Sequence, residues 1–192
     1  MQNAVPAGEG AMVAVLGLDE DAIMKVCAEV SMLGVAEPVN FNAPGQVVVA
    51  GHQTALTQLV DIAKDAGARR AIMLPVNVPA HSSLMRPASE ALIEVLDTIE
   101  FKTPKTTVIS AVDATPYNDA ADIGCRLSQQ VHSPVRWVNA VQKLIENGAT
   151  RLVECGPGKV LTGLNKRIDR SVPGVCIDTP EALVKSIEEA KQ

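Results

Sequence analysis

Of the three histidines in this 192-residue chain, His81 stands where chemistry is easiest to imagine. An apolar run, Leu74-Pro75-Val76-Asn77-Val78-Pro79-Ala80, delivers it to Ser82-Ser83-Leu84-Met85, where a helix is expected to begin. Histidine is the side chain that ordinarily titrates near neutrality, and one gripped between two rigid elements suits general acid–base work. A base of this kind serves a nucleophile. The chain has no serine in a Gly-x-Ser-x-Gly elbow. Gly51-His52-Gln53-Thr54-Ala55 has the outline of one, but Gln53 fills the nucleophile's place and Thr54 reads as the cap of the next helix.

Other candidates are weaker. Cys155 ends an expected strand and is the alternative nucleophile, although a small buried hydrophobe is the simpler reading. Asp113 could complete a histidine triad, yet Asp113-Ala114-Thr115-Pro116 reads more directly as an acidic turn. Gly156-Pro157-Gly158-Lys159 lacks the first glycine and the hydroxyl residue of a phosphate loop, so a tight strand-to-helix turn is expected there. His52 and His132 are expected to be structural or on the surface. Together with His81 they lack the short helical spacing of a zinc site, so no metal and no cofactor are expected.

Composition narrows the classes. With 47% hydrophobic and 20% charged residues the chain can bury a core. A formal charge of −5 and only four aromatic rings, Phe41, Phe101, Tyr117 and Trp137, oppose nucleic-acid binding. Residues 1–10 carry no basic stretch followed by an apolar one, so no secretory leader is expected, and no run reaches the ~20 apolar residues of a membrane span. Cys27, Cys125, Cys155 and Cys176 form no Cys-x-x-Cys pair. Reduced thiols and a cytoplasmic location are the expectation.

The elements that must position His81 come in two grammars. Beyond a connecting segment at 1–10, residues 11–78 read as β-α-β-β-α-β. The strand Met12–Leu16 is followed by acidic Asp19, Glu20 and Asp21 and the stripe Ile23, Val26, Cys27, Val30. A hairpin joins 38–42 to 46–50 across Ala43-Pro44-Gly45, and the stripe Leu56, Leu59, Val60, Ala63 precedes a strand over 71–76. This is the ferredoxin-like order, an antiparallel sheet with both helices on one face. Residues 79–192 alternate longer helices with isolated strands, as parallel α/β structures do. A helix through Leu84, Ala88, Leu92, Val95 and Ile99, bent or started by Pro87, precedes a strand over 107–112. A short helix holds Ile123 and Leu127, Ser133-Pro134 caps the next, and strands at 151–155 and 174–177 flank a helix at 160–168. Thr179-Pro180 caps a closing helix. About three strands are few for such a sheet, so part of it is expected to lie outside this chain.

Four motifs together resemble one family, the malonyl-CoA:acyl-carrier-protein transacylases of fatty-acid synthesis. They are Pro38-Val39-Asn40-Phe41-Asn42-Ala43-Pro44-Gly45-Gln46-Val47-Val48-Val49-Ala50-Gly51, Val78-Pro79-Ala80-His81-Ser82-Ser83-Leu84-Met85, Ser133-Pro134-Val135-Arg136-Trp137, and Glu154-Cys155-Gly156-Pro157-Gly158-Lys159-Val160-Leu161-Thr162-Gly163-Leu164. The resemblance covers roughly the C-terminal three-fifths of such an enzyme. It implies a ferredoxin-like subdomain at 11–78 and, at 79–192, the C-terminal part of an α/β-hydrolase-like acyltransferase subdomain. The family's nucleophilic serine in a Gly-His-Ser-Leu-Gly elbow, its oxyanion-hole glutamine and its malonyl-binding arginine have no counterpart here. Met1 is accordingly expected to be an internal methionine of the family pattern.

By that resemblance the chain would take part in ping-pong transfer of malonyl from coenzyme A to acyl carrier protein. His81 aligns with the catalytic histidine, and Gln130 with the residue whose backbone carbonyl orients that imidazole. Asn40 and Asn42 align with polar positions flanking the substrate cleft. The implied partners are malonyl-CoA, acyl carrier protein and a segment carrying the nucleophile, without which the chain is expected to be inactive. Lys159, Lys166, Arg167 and Arg170 fall on one expected helix. A solvated face is the plainer reading of them, and steering of an acidic carrier the sharper. A non-catalytic module that binds a carrier protein or a partner subunit is the alternative from a different class.

Overall fold

The structure, a computed structural model, describes residues 4–6 and 8–189. Met1 to Asn3 and Ala7, part of the expected connecting segment, and Ala190 to Gln192 lie outside the described residues. The chain forms two compact units, residues 1–140 and 141–192.

In the first unit, β1 (Gly10–Leu16), α1 (Glu20–Glu29), β2 (Ala36–Ala43), β3 (Gln46–His52), α2 (Gln53–Asp65) and β4 (Arg70–Met73) follow one another. The sheet order is β2-β3-β1-β4 with every neighbouring pair antiparallel. Strand alternation puts Ala11, Val13 and Val15 of β1 on one face with Val47 and Val49 of β3. The stripes of α1 (Ile23, Val26, Cys27, with Val30 at its C-cap) and α2 (Ala55, Leu56, Leu59, Ala63) cover that face. Each fully buried Val, Leu or Ile there contributes roughly 1.5–3 kcal/mol of apolar burial. The opposite face is also covered, for Met12, Val39, Val48 and Ala50 form a second buried cluster against Leu74 and Ala80.

Local chemistry sets the boundaries. Asp19 caps α1 by accepting the Ala22 N–H at 2.8 Å. α2 starts at Gln53, so Thr54 is not its cap; the Thr54 hydroxyl donates to the Leu33 carbonyl at 3.3 Å. Gly51 has no room for a side chain, because a Cβ would run into the Val35 carbonyl. β4 ends at Met73 rather than at residue 76, because Pro75 has no N–H with which to continue the ladder.

Beyond β4 the first unit is helical. A 3₁₀ turn at Ser83–Met85 leads into α3 (Arg86–Leu96), with Pro87 in its first turn, and α4 (Ala120–His132) is longer than the short helix expected. The strand expected over 107–112 is not formed. That segment folds back on itself through a turn in which Asp113 accepts the Thr115 N–H at 3.1 Å, leaving a single antiparallel bridge, Ile109 to Pro116. Arg126 of α4 holds the turn through Asp113 at 3.2 Å and is itself steadied within the helix by Asp122 at 2.7 Å. The division between the units falls within α5 (Trp137–Glu146).

The second unit holds β5 (Leu152–Cys155), α6 (Val160–Ile168), β6 (Gly174–Ile177) and α7 (Pro180–Glu189). β5 and β6 pair in parallel from Leu152–Gly174 to Cys155–Ile177. Two left-handed glycines, Gly156 (φ 140°) and Gly158 (φ 90°), turn the chain from β5 toward α6. The Glu154 carboxylate accepts the Leu161 and Thr162 N–H groups and the Thr162 hydroxyl at 2.7–3.0 Å. It thereby satisfies donors that the first turn of α6 leaves open. The Thr179 hydroxyl caps α7 by accepting the Ala182 N–H at 3.2 Å. Lys159 precedes α6 and Arg170 follows it, so the four basic residues do not share one helix.

Candidate active site

The segment from Leu74 to His81 crosses the sheet face opposite α1 and α2. Leu74 and Ala80 seat on the second apolar cluster, and Pro79 is fully buried. Short-range bonds stiffen it, from Val76 N–H to the Leu74 carbonyl and from Ala80 N–H to the Val78 carbonyl, at 2.8 and 2.9 Å. The buried Ser82 hydroxyl donates to the Pro79 carbonyl at 2.6 Å.

His81 itself has a positive φ of 67°. Such a left-handed position costs a non-glycine residue about 1–3 kcal/mol and persists where surrounding contacts over-determine it. Those contacts come from the end of α4. The His81 N–H donates to the Val131 carbonyl at 3.1 Å, and Nδ1 lies 2.6 Å from the Gln130 carbonyl oxygen. A carbonyl oxygen only accepts, so Nδ1 carries the proton and Nε2 presents a lone pair. Both carbonyls belong to the last turn of a helix, where C=O groups lack intrahelical partners and the helix dipole favours positive charge. The arrangement sets the imidazole tautomer and orients the ring without a carboxylate.

Gln130 acts twice. Its backbone carbonyl orients His81, while its side-chain Nε2 donates to the Ser133 and Pro134 carbonyls at 3.0 and 3.4 Å. Ser133 is the extended residue that ends α4, and α5 begins only at Trp137. Ser133-Pro134 is therefore not a helix cap. It leads Val135 onto the free edge of β2, where Asn40 and Val135 form a parallel bridge. Arg136 follows with its guanidinium 5.1 Å from the Phe41 ring centroid and 3.9 Å from the Glu20 carboxylate.

Asn40 and Asn42 lie on β2, which carries two bulges, one between Pro38 and Asn40 and one between Phe41 and Ala43. Bulges of this kind re-aim side chains and gather at sheet edges near functional sites. Both asparagines are half-buried. His81 and Gln130 are thus in direct contact, whereas Asn40 connects to them through backbone pairing with Val135 and the Gln130 side chain.

Sequence reasoning missed Glu37. Its carboxylate accepts the Ser83 N–H and the Ser83 hydroxyl, both at 2.7 Å, tying β2 to the turn just after His81. The available signal was the Ser82-Ser83 pair with no acidic residue three positions on.

Cys27, Cys155 and His52 lie apart from this arrangement, and the buried His132 Nδ1 has no hydrogen-bond partner among the described residues. Burial, with a lesser push from Glu37, raises the Cys27 thiol to about 12 and makes it inert. Cys155 is exposed rather than buried, because it lies past the buried start of a four-residue strand. His52 accepts the Val35 N–H at 2.9 Å through Nδ1, a structural use. Among the described residues no group of three His, Cys, Asp or Glu side chains could hold a metal ion, and no helix is long and apolar enough to cross a membrane.

The comparisons with known proteins bear on the family and the fold. The acyl transferase domain family matches residues 1–179. The malonyl CoA-acyl carrier protein transacylase of Salmonella typhimurium is 44% identical over 189 residues, 98% of this chain and 61% of the relative. The corresponding Bacillus subtilis protein is 42% identical over 193 residues, 100% of this chain and 61% of the relative. A solved acyl-carrier-protein S-malonyltransferase from Burkholderia pseudomallei superposes with a TM-score of 0.95 at 48% identity, covering 98% of this chain and 61% of that one. A malonyl-transacylase solved in complex with its type II PKS acyl-carrier protein gives 0.95 at 42% identity, with the same coverage. The chain spans about three-fifths of the length of these relatives. With nearly the whole sequence matched, and with a mixed α/β fold that follows theirs, the chain belongs to the acyl transferase domain family.

Proposed function

We propose that this chain is the acid–base part of a malonyl-CoA:acyl-carrier-protein transacylase working in the cytoplasm. In this reading residues 11–78 are a ferredoxin-like subdomain, and 79–192 are the C-terminal part of an α/β-hydrolase-like acyltransferase subdomain. The observation that carries the proposal is the 2.6 Å contact between His81 Nδ1 and the Gln130 carbonyl, which leaves Nε2 ready to take a proton. Four free thiols suit a reducing compartment.

The chemistry follows from that tautomer. His81 Nε2 removes the hydroxyl proton of a serine supplied from outside these 192 residues as the serine oxygen bonds to the malonyl thioester carbon. Collapse of the tetrahedral adduct breaks the carbon–sulfur bond, and the imidazolium returns its proton to the departing coenzyme A thiolate. In the second half, the carrier's phosphopantetheine thiol gives its proton to Nε2 and attacks the malonyl-serine ester. The serine oxygen leaves and is reprotonated. The Gln130 carbonyl and the end of α4 take the role that a carboxylate has in a Ser-His-Asp triad. Asn40 and Asn42 would flank the acyl and pantetheine path, and among the described residues their carboxamides make no hydrogen bond that would occupy them.

The test has two arms. Purified chain is incubated with malonyl-CoA and its intact mass measured, with no malonyl adduct expected. The chain is then combined with a polypeptide corresponding to the two-fifths of its relatives that it does not span, and malonyl transfer to carrier protein is followed. Transfer that appears only in the combination, and is lost in His81→Asn, supports the proposal. An adduct on the isolated chain, or transfer indifferent to His81→Asn, overturns it. Saturable carrier binding without transfer in the combination would favour the binding-module reading instead.

A further inference from the structure

His81 is anchored on one side by α4, through Val131 and Gln130. Its left-handed backbone needs an anchor on the other side as well. Ser82 is placed to cap the helical run that starts at Ser83, yet it makes no capping bond; its hydroxyl turns back to the Pro79 carbonyl. That bond lies within the turn and cannot fix the turn against the sheet. Glu37 does so from β2, with one carboxylate oxygen on the Ser83 N–H and the other on the Ser83 hydroxyl.

We propose that Glu37 is a positioning residue for His81, a cap supplied from β2 that fixes the turn and with it the imidazole that Gln130 orients. The inference rests on the reading of His81 as the acid–base group and extends it by one residue. Three features favour a positioning role over a purely stabilising one. The two-point grip sets orientation as well as distance. A negative group is favoured at the start of a helical run, where N–H donors are open. And the strand that carries the grip also carries Asn40 and Asn42, so one element registers the proposed substrate-flanking residues and the base together.

Nitrogen-15 NMR of the histidine rings in the full 192-residue chain tests this without substrate. In Glu37→Ala the His81 Nδ1 proton should exchange with water about tenfold faster or more, as local opening becomes easier, and the ring should shift toward mixed tautomers. Glu37→Gln should stay within about threefold of the parent, since its carboxamide can accept the Ser83 N–H and donate to the Ser83 hydroxyl. The His52 ring serves as the control and should keep its pattern. Unchanged His81 tautomer and exchange in Glu37→Ala would overturn the proposal. Should Glu37→Ala fail to fold, Ser83→Ala deletes the hydroxyl bond alone. About threefold faster exchange then supports the proposal, and none refutes it. These signals do not depend on malonyl transfer, so loss of the functional reading through the His81→Asn assay would be seen separately.

Discussion

The Val135 N–H donates to the Val39 carbonyl at 2.8 Å, and the Val135 carbonyl in turn accepts the Phe41 N–H at 3.0 Å. Residues that read as the approach to a helix thereby add a short parallel segment to the edge of β2. This ties the strand of Asn40 and Asn42 to the end of α4, where His81 is held. Val135→Pro removes the donor and should cost about 1–3 kcal/mol through the stranded Val39 carbonyl. Hydrogen exchange at the Phe41 amide should accelerate, and an unchanged Phe41 rate would show that the pairing carries no stability.

Within the site, the backbone carbonyl of Gln130 and its side chain are separable. Gln130→Ala keeps the carbonyl that orients His81 and loses only the bonds to Ser133 and Pro134. In the complemented enzyme, His81→Asn should lower kcat/KM by about 10²–10⁴-fold, the span of acid–base contributions. Gln130→Ala should cost about tenfold or less. Equal losses for the two variants would mean that the side chain, not the carbonyl, governs the imidazole.

The Cys27 thiol is raised to about 12 from an ordinary value of 9.0. The unfolded chain therefore releases this proton first as pH rises, so the contribution is whole below about pH 9 and is lost between about 9 and 12. The urea midpoint should fall across the accessible part of that window, and Cys27→Ala should flatten the fall. At pH 8, iodoacetamide should label the exposed Cys125 and Cys155 while Cys27 stays unmodified in the folded chain.

Hydrogen bonding, first from the Thr162 hydroxyl and then from the Thr162 and Leu161 N–H groups, holds the Glu154 carboxyl below the usual range. Stability from this group is present above the unfolded carboxyl's pKa and is lost as pH falls through the depressed folded value. Thr162→Val deletes the leading bond, so carboxyl carbon-13 NMR should show Glu154 titrating at higher pH than in the parent. An identical titration curve would remove the hydroxyl from the account.

Sequence made the elements around the sheet legible where one physical signal dominated. The stripes Ile23-Val26-Cys27-Val30 and Leu56-Leu59-Ala63 face a single apolar core, and Asp19 and Thr179 cap helices by contacts only three residues away. It misled where a local signal lost to a distant one. Ser133-Pro134 carries a helix-start pattern, but the open edge of β2 took up Val135 instead. The run from Thr107 to Val112 has strand composition, but among the described residues it pairs only across its own turn, through the Ile109–Pro116 bridge. In the site, His81 stood out by residue type and setting. Gln130 was reached only through the family resemblance, because a backbone carbonyl leaves no trace in side-chain identity. Glu37 meets Ser83 across 46 positions, a separation that no local pattern spans.

The bulged edge of β2 also bears on what the molecule avoids. A long, flat outer strand offers a row of open N–H and C=O groups on which another chain can grow as sheet. Here the two irregularities break that row, and Val135 occupies its centre. The outer strand at the far side, β4, is four residues long, opens on Arg70 and is followed closely by Pro75. The features that bring the asparagine strand and the histidine turn together thus leave this sheet a poor template for edge-to-edge aggregation.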